Sequence, residues 1–375
     1  MKKVLSVFLV LTLLLCNYSI TANANELNIP ASAAIVVNAK TGAVIYAKNA
    51  TTQLPMASTT KIMTAILLIE NANLDSQITT TREMVTVEGS SMGLLEGDKA
   101  TYRSLLYGMM LPSGNDAATT VAISLASSLQ NFSLMMNKKA KELSMHNTNF
   151  VTPSGLDHKY HFSTVEDMAK LSVYAMKNPE FRKVVSTKKI RVEYGNPPYS
   201  RMLYGHNKIL NTYDGANGIK TGYTSKSGKC LVSSAKRGNM EVIAVTLNDS
   251  HTQTSHKTLL DYGFSKLNEV ELKLPNNIQK TEVISGSNKY VQLVSNTKNV
   301  ALTASETENL NYKISIKPFV YAPVPKGQTV GRVDFYVGNT FLESLDIKTF
   351  KSVKLKKQTK QTFLKRLLQY ITLFI

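Results

Sequence analysis

Apolar positions change their spacing along the first part of the chain. Apolar runs at 33–38 and 43–46 flank the turn Lys40-Thr41-Gly42, which predicts a β-hairpin. Apolar residues at helical spacing then predict helices over 59–70, 102–111, 116–125 and 132–143. A further helix is predicted to begin at Ser163, because Ser163 and Glu166 have the spacing of a capping box. Strands are predicted again at 218–223, 230–235 and 242–247.

This order of elements predicts the fold class. Helices bracketed by strands from both ends of a segment indicate one antiparallel sheet packed with helices, an α+β domain. After Phe264 the chain alternates between apolar and polar residues, as in 290–294 and 333–337, and Gly338-Asn339 has the composition of a hairpin turn. We therefore predict a small all-β sandwich domain over 267–350, and it contains no set of residues with catalytic spacing.

Residues 351–375 combine a basic run with an apolar stripe at helical spacing. A helix over 363–375 would be about 20 Å long, which is short of a bilayer core of about 30 Å. We predict a C-terminal amphipathic helix that lies in the interface of an anionic membrane. The alternative is a helix docked on its own domain. The basic residues are Lys351, Lys354, Lys356, Lys357, Lys360, Lys365 and Arg366, and the stripe contains Phe363, Leu364, Leu367, Leu368, Ile371 and Phe374.

The N-terminus has the pattern of an export signal. Lys2-Lys3 precedes an apolar run at 4–15, and Ala22-Asn23-Ala24 has the form of a cleavage site, so residues 1–24 are predicted to be a signal peptide. Removal of the signal would also remove Cys16. Cys230 would then be the remaining cysteine, which excludes an intramolecular disulfide. Its surroundings predict a buried strand residue.

Length and charge restrict the possible functions further. A chain of 375 residues can hold two domains with separate cores. The formal charge of +18 in an exported protein indicates contact with anionic phospholipid head groups or acidic wall polymers, although a basic surface also keeps a protein soluble. Nucleic-acid binding is not predicted, because the chain has an export signal and lacks a basic–aromatic recognition motif.

The stretch Ser58-Thr-Thr-Lys61 is the first candidate for chemistry. Residues three apart share one face of a helix, so Lys61 Nζ can reach Ser58 Oγ. A hydroxyl becomes a useful nucleophile when a base lies within hydrogen-bond reach. Pro55 and the apolar run at 62–68 place Ser58 near a helix N-terminus, where developing negative charge is stabilised. An isolated match is also explained by a serine N-cap followed by a solvated lysine.

Two further motifs follow in order, Ser113-Gly-Asn115 and Lys220-Thr-Gly222. Each alone is typical of a turn or a strand end, but the three together favour a catalytic site. The set is similar to that of penicillin-binding proteins and serine β-lactamases. From about Ala31 to Phe264 the chain resembles, more narrowly, the low-molecular-weight penicillin-binding proteins that are serine-type D-alanyl-D-alanine carboxypeptidases, peptidase family S11. The segments that carry this resemblance include Ser90-Ser-Met92, Asn147-Thr-Asn-Phe150, Gly155-Leu-Asp157, Asp214-Gly-Ala-Asn-Gly-Ile-Lys-Thr-Gly222 and Leu259-Leu-Asp-Tyr-Gly-Phe264.

The resemblance implies a transpeptidase/β-lactamase-like fold and a catalytic role for four residues. Ser58 would be the nucleophile and Lys61 the general base, which requires a neutral amine. Apolar surroundings and a second cation nearby would lower the pKa of Lys61. Ser113 would pass a proton toward the leaving amine, and Asn115 would bind either Lys61 or the amide of the substrate.

The resemblance also implies a substrate-binding role for Lys220, Thr221, Gly222 and Tyr223. Lys220 and Thr221 would bind the C-terminal carboxylate, and Lys220 would be the cation near Lys61. Gly222 would leave room for the substrate strand. The backbone N–H groups of Ser58 and Tyr223 would form the oxyanion hole. Members of the family often have a carboxylate-assisting arginine before the last helix, and the matching stretch 251–257 has His251, His256 and Lys257 instead.

Other polar residues have simpler explanations, and neither a metal nor a cofactor is predicted. His158 and His161 have helical ligand spacing, but no acid accompanies them, so a role in a loop is favoured. Asp157 is interpreted as a structural loop acid. Glu166 is interpreted as the capping-box partner rather than as a deacylating base.

The expected function is a carboxypeptidase that trims the terminal D-alanine of peptidoglycan stem peptides and is acylated by β-lactams. A serine β-lactamase, a D,D-endopeptidase and a non-catalytic wall-binding protein are the alternatives. The expected location is the outer face of the cytoplasmic membrane or the cell wall. The predicted domains are residues 1–24 (signal peptide), 25–266 (catalytic), 267–350 (sandwich) and 351–375 (tail).

Overall fold

The computed structural model of the protein describes residues 27–357 and position 371. The described residues from Ala31 onward belong to one compact unit, and residues 27–30 have no regular secondary structure. The predicted signal peptide lies outside the described residues, and so does the predicted C-terminal helix apart from position 371. Within the described part of the chain, no helix has both the length and the apolar character needed to span a bilayer.

Strands and helices alternate irregularly in the described chain. The strands are β1 (Ala31–Asn38), β2 (Val44–Lys48), β3 (Gln77–Thr79), β4 (Lys99–Thr101), β5 (Lys189–Gly195), β6 (Pro198–Tyr204), β7 (Ala216–Thr224), β8 (Gly228–Arg237), β9 (Met240–Asp249), β10 (Asn268–Leu272), β11 (Lys280–Ile284), β12 (Tyr290–Val294), β13 (Lys298–Leu302), β14 (Leu310–Ile316), β15 (Phe319–Tyr321), β16 (Thr329–Val337) and β17 (Thr340–Thr349). The helices are α1 (Lys61–Asn71), α2 (Arg82–Val85), α3 (Tyr102–Met110), α4 (Asn115–Ala126), α5 (Leu129–Glu142), α6 (Val165–Ala175), α7 (Pro179–Val185), α8 (Ile209–Thr212), α9 (Thr252–Ser265) and α10 (Ala304–Glu308), and a 3₁₀ turn, Ala57–Thr60, precedes α1.

The first domain is built on a five-stranded antiparallel sheet with the order β2-β1-β9-β8-β7. Helix α6 packs on one face of the sheet, α1 shares the hydrophobic core on that face, and α9 packs on the other face. Both faces are therefore covered, which explains why β1 reads as a nearly continuous apolar run instead of alternating. Strands from the two ends of the domain meet in the sheet, and the predicted α+β fold class is confirmed.

A second, four-stranded sheet with the order β3-β4-β5-β6 lies beside the helices. Strands β5 and β6 were not predicted from the sequence. Their hairpin is tied to the segment 88–94, because Tyr194 Oη donates to Met92 O, and Arg201 Nη1 lies between Tyr194 Oη (2.8 Å) and Gly93 O (2.5 Å). This segment is one wall of the catalytic site described below.

The C-terminal domain consists of β-sheets, as predicted. Six strands form a sheet with the order β14-β16-β17-β12-β11-β15, and β10 pairs with β13 in a separate two-stranded sheet. Leu272 and Leu302 of the small sheet pack against Phe335 and Leu345 of the large one. Contacts of this domain extend past residue 350, because Val353 pairs with Val324 and Leu355 pairs with Gly286.

The turn between β1 and β2 is bound to the C-terminal domain. Asn38 Nδ2 donates to Ala301 O at 3.0 Å and to a carboxylate oxygen of Glu306 at 3.1 Å. Thr41 Oγ1 donates to the other oxygen of Glu306, which is buried. A buried carboxylate with several donors fixes the geometry around it. The two domains therefore share a polar contact as well as the chain connection.

One local prediction was wrong, namely the capping box at Ser163 and Glu166. Helix α6 begins one residue later, with Thr164 as N-cap accepting from the backbone N–H of Asp167 at 3.0 Å. Ser163 is engaged elsewhere, because its backbone pairs in both directions with Leu54. Glu166 instead forms an ion pair of 3.1 Å with Lys170, one helical turn away.

Candidate active site

Ser58 and Lys61 lie together at the start of α1. Ser58 belongs to the 3₁₀ turn, Lys61 is the first residue of the helix, and Lys61 Nζ lies 2.8 Å from Ser58 Oγ. Ala57, which precedes the serine, has a φ of 47°, in the left-handed region that non-glycine residues rarely adopt. Strain of this kind costs about 1–3 kcal/mol and is found at functional sites. The backbone is therefore bent immediately before the serine hydroxyl.

The Lys61 side-chain amine is fully buried and has two further contacts. Nζ lies 2.7 Å from Asn115 Oδ1 and 2.7 Å from Ser154 O. Burial lowers the pKa of Lys61 well below 10.5, and the nearby charge of Lys220 lowers it further. A neutral amine has two N–H groups and one lone pair. If the two carbonyl oxygens take both N–H groups, the lone pair points at the Ser58 hydroxyl, which is the arrangement a general base requires.

The oxygen and the nitrogen of the Asn115 side-chain amide both form hydrogen bonds. Its Oδ1 accepts from Lys61, and its Nδ2 donates to Glu88 O at 2.7 Å. Of the two roles the sequence left open, the structure shows the contact with Lys61. The next residue, Asp116, is buried and accepts from the backbone N–H groups of the facing segment, at 2.9 Å for Met92 and 3.0 Å for Leu94. This carboxylate fixes the segment that binds Asn115, a role that was not predicted from the sequence.

Ser113 occupies a strained position in the turn before α4. Its φ is 64° and the residue is 5% exposed. The following Gly114 leaves no room for a side chain, because a Cβ there would lie 2.6 Å from Asp116 Oδ1 and 3.0 Å from Gly108 O. Close packing therefore fixes the turn. Ser113 has a left-handed conformation in this turn, which is strained for a residue other than glycine.

Lys220 lies on β7 at the opposite wall. It pairs with Val232 on β8, so its side chain shares the sheet face that carries α1. The side chain is 1% exposed, Nζ donates to Thr221 O at 2.9 Å, and burial lowers the pKa of Lys220 to about 7. Tyr223 is 67% exposed, three residues further along the strand than Lys220. A buried cation therefore stands beside an accessible strand edge.

Gly222 permits β7 to approach the nucleophile. A Cβ at this position would lie 3.0 Å from Ser58 N and 3.1 Å from Met56 O. These distances are shorter than nearly all real Cβ contacts, so the strand and the turn could not both keep their positions with a larger residue. Because β7 also carries Lys220, this close approach brings the second cation toward Lys61, in agreement with the charge effect on the pKa of Lys61.

A loop over 151–157 contacts the nucleophile turn and α1, a role that was not predicted from the sequence. Ser154 O accepts from Lys61, and Pro153 O accepts from Thr64 Oγ1 at 2.6 Å. His161 joins the loop to the nucleophile turn, since its Nδ1 accepts from Val151 N at 2.9 Å and its Nε2 lies 2.9 Å from Thr60 Oγ1. Burial lowers the pKa of His161 to about 4, so the ring is neutral.

The histidines near α9 are not equivalent. His256 is fully buried between Ser233 Oγ and Thr246 Oγ1, at 2.5 and 3.0 Å, on the face of the sheet covered by α9. Both ring nitrogens are occupied, and burial lowers its pKa to about 3. His256 therefore faces away from Lys220 and does not replace the arginine. His251 and Lys257 are exposed.

The remaining candidates are structural in the described chain. Cys230 is buried on β8, and burial raises its pKa to about 11, which gives an unreactive thiol. Asp157 accepts from Thr224 Oγ1 at 3.0 Å. Within the described residues, no group of three or more His, Cys, Asp or Glu side chains is arranged to hold a metal ion.

Gly155 gives a prediction about this support. A Cβ at Gly155 would lie 1.9 Å from Ala57 O, and its φ of 88° disfavours other residues. We expect Gly155→Ala to slow acylation of Ser58 by penicillin at least tenfold, because the 3₁₀ turn must shift. The matched control is Gly97→Ala, with a φ of 83° but nothing within 4 Å of the new Cβ. Acylation rates and melting temperatures of both variants test this. Equal acylation rates in the two variants would show that the contact with Ala57 is unimportant.

Two family descriptions match the chain. The family described as D-alanyl-D-alanine carboxypeptidase matches residues 20–251. The domain described as the C-terminal domain of penicillin-binding protein 5 matches residues 272–355. The second match begins at the last residue of β10, close to the point where the sequence changes to alternating apolar and polar residues.

Individual proteins show the same similarity. The D-alanyl-D-alanine carboxypeptidase DacF of Bacillus subtilis is 32% identical over 319 residues, which cover 82% of each chain. The crystal structure of the Streptomyces K15 DD-transpeptidase superposes with a TM-score of 0.61 and 35% identity, covering 63% of this chain and 98% of that one. The D-alanyl-D-alanine carboxypeptidase DacD of Francisella tularensis covers 88% of this chain and 95% of its own, with a TM-score of 0.62 and 26% identity.

Proposed function

The chain belongs to the D-alanyl-D-alanine carboxypeptidase family of serine hydrolases, and we propose that Ser58 is the residue it acylates when it removes the terminal D-alanine of peptidoglycan pentapeptides. The observation that carries the proposal is the position of Lys61 Nζ, buried and 2.8 Å from Ser58 Oγ. A buried lysine with a lowered pKa beside a hydroxyl is a general base next to its nucleophile.

Acylation begins with transfer of the Ser58 proton to Lys61. The Oγ atom attacks the carbonyl carbon of the penultimate D-alanine, and the carbonyl oxygen becomes an oxyanion. The backbone N–H groups of Ser58 and Tyr223 are proposed to hold that oxyanion, since β7 runs against the nucleophile turn at Gly222. Collapse of the tetrahedral intermediate breaks the C–N bond and leaves an ester on Ser58.

The leaving D-alanine needs a proton on its amino group. Lys61 holds the proton taken from Ser58, and the proposed relay to the leaving nitrogen is Ser113. A hydroxyl can accept one proton and donate another without a change of charge. Deacylation repeats the sequence with a water molecule in place of the serine, which restores Ser58 and releases the shortened peptide.

Substrate selection is proposed to depend on the free carboxylate of the terminal D-alanine. Lys220 is the buried cation on the strand beside the nucleophile, and Thr221 is the adjacent hydroxyl donor. An anion entering the site would also compensate for the burial of the Lys220 charge. An internal peptide bond has no carboxylate at that position, so terminal cleavage is favoured over endopeptidase activity.

β-Lactams are proposed covalent inhibitors, because their strained amide and nearby carboxylate present the same two groups as the peptide. We expect incubation with benzylpenicillin to add the mass of one intact drug molecule per chain, located by peptide mapping on Ser58. The control is Ser58→Ala, which should gain no mass. An adduct on another residue, or none on the wild type, would contradict the assignment of the site.

A β-lactamase would differ in the fate of that adduct. Class A β-lactamases deacylate rapidly through a carboxylate that activates water, and no described acid makes a hydrogen bond to Ser58 or Lys61. Glu166 is bound to Lys170, beside the β1–β2 hairpin. We therefore propose a long-lived acyl-enzyme, and rapid continuous turnover of nitrocefin by the purified protein would support the β-lactamase instead.

The membrane is the second proposed partner. The predicted export signal would direct the enzyme outside the cytoplasmic membrane, and the basic, apolar tail over 351–375 is proposed to bind its anionic outer surface. This location would bring the active site to newly exported peptidoglycan stem peptides.

A further inference from the structure

The outer face of the C-terminal sheet carries exposed aromatic side chains at one end. Strands β15, β11 and β12 are neighbours, and their alternate residues Val320, Val283 and Val291 are buried in the domain core. The residues between them point outward. Tyr321 is 68% exposed, and the other members of this face are Phe319 at 42% and Tyr290 at 44%.

The aromatic side chains of this face contact each other and lysines. Phe319 and Tyr321 lie 5.5 Å apart in an edge-to-face arrangement. The Nζ atoms of Lys280 and Lys289 lie 4.7 and 5.5 Å from the centre of the Tyr290 ring. One acid, Glu282, lies between Phe319 and Tyr290 in the strand register. We call this set of aromatic and basic residues the aromatic–lysine face.

The described chain ends beside this face. Tyr321 pairs with Ile284, and Leu355 pairs with Gly286, two residues further along. The backbone N–H of Lys356 donates to Ser285 O at 2.9 Å. Residues 358–375, with their lysines and apolar stripe, therefore start within a few residues of the aromatic–lysine face.

We propose that the aromatic–lysine face lies against an anionic phospholipid surface and is a membrane contact in addition to the tail. The inference rests on the proposed membrane association. Tyrosine has an apolar ring and a polar hydroxyl, and it concentrates at the boundary between head groups and acyl chains. Each lysine near an anionic surface contributes about 1 kcal/mol of attraction. Two adjoining contacts would fix the tilt of the protein, whereas a tail alone would let it rotate.

A fluorescent reporter tests this contact directly, because the chain contains no tryptophan. Tyr321→Trp places a single reporter on the face. Phe341→Trp is the matched control, since Phe341 is 58% exposed in the same domain. It lies near the far end of β17, roughly 20 Å along the strand from Lys348, where β17 pairs with β12. The full-length mature chain is mixed with vesicles of phosphatidylglycerol and phosphatidylcholine.

We expect the Tyr321→Trp emission to shift to shorter wavelength and to be quenched by brominated lipid, and the Phe341→Trp emission to stay unchanged. Binding of the protein without quenching at either position would overturn the proposal, because the tail alone would then hold the domain away from the lipid. Equal quenching at both positions would also overturn it, since the domain would then have no preferred face. Quenching of Tyr321→Trp by an added wall protein instead of lipid would indicate a protein partner and overturn it too.

Paired substitutions measure how strongly the face contributes. We expect Phe319→Ser with Tyr321→Ser to weaken partitioning to these vesicles about tenfold. The control pair, Tyr312→Ser with Phe341→Ser, removes aromatic side chains of similar exposure elsewhere in the domain and should change partitioning little. Equal loss in both pairs would contradict the proposal. Thermal melting checks folding of the C-terminal domain in every variant, and penicillin acylation checks that of the catalytic domain. If the wild type fails to sediment with vesicles but is acylated, the membrane proposals fail and the catalytic one stands.

Discussion

Replacing Lys61 by arginine is expected to slow acylation by penicillin about 10²- to 10⁴-fold, the usual contribution of a general base. Arginine keeps the positive charge, but its pKa above about 12 prevents it from accepting the proton of Ser58. The substitution therefore separates the role of a base from the role of a charge. The second-order rate of labelling by a fluorescent penicillin measures the effect.

The pH dependence of the same reaction distinguishes a lost base from a damaged fold. Because burial and the charge of Lys220 lower the pKa of Lys61, the neutral amine is available at lower pH than for an ordinary lysine. The acylation rate of the wild type should fall as acidification protonates this amine. The residual acylation rate of Lys61→Arg should not show this fall at acidic pH. Ser58→Ala lacks the nucleophile and gives the background labelling of the assay. An arginine variant within tenfold of the wild type would place the base elsewhere.

The core of this site could be predicted because its first contact is local. Ser58 and Lys61 are one helical turn apart, so their distance follows from helix geometry alone. The convergence of Asn115 on Lys61 and the approach of β7 to the nucleophile turn are long-range, and the sequence suggested them through the order of the motifs and the family resemblance. The structure brings Ser58, Lys61 and Asn115 into direct contact.

The supporting contacts could not be predicted, because most of them involve backbone atoms. The Ser154 carbonyl contacts Lys61, and any residue has such a carbonyl. The left-handed φ of Ala57 is equally invisible in the sequence, since alanine usually avoids that conformation. Asp116 follows Asn115 directly, but its role depends on which segment faces it in the fold.

The secondary-structure errors have physical causes of the same kind. The serine and glutamate spacing at Ser163 and Glu166 matched a capping box, yet a bridge to Leu54 engaged the serine backbone and moved the N-cap to Thr164. The hairpin of β5 and β6 was missed because few of its positions are buried and apolar residues of β6 such as Met202 and Tyr204 are exposed, so the apolar spacing gave no clear strand signal. Tertiary pairing decided both cases.

Replacing Lys220 by methionine is expected to stabilise the fold while it weakens substrate binding. Burial lowers the pKa of Lys220 to about 7 in the folded protein, whereas an unfolded lysine titrates near its ordinary 10.5. Between these values the unfolded chain binds more protons, so wild-type stability rises with pH across this window. Well below pH 7 the full penalty applies, on the order of 5 kcal/mol, and most of it remains at pH 7. Methionine has a similar shape and no charge, so it avoids this cost.

Urea unfolding at pH 7 and at pH 9.5 tests the stability effect, and hydrolysis of a peptide ending in D-alanyl-D-alanine tests the function. The stability advantage of Lys220→Met should be large at pH 7 and shrink at pH 9.5, because keeping Lys220 neutral in the folded wild type costs less as the pH approaches the pKa of an unfolded lysine. The variant's kcat/KM should fall strongly, because the carboxylate loses its cation. Lys208→Met, at an exposed position, is the control and should change neither quantity much. A Lys220→Met protein less stable than the wild type at pH 7 would show that the ammonium group has favourable contacts which outweigh its burial.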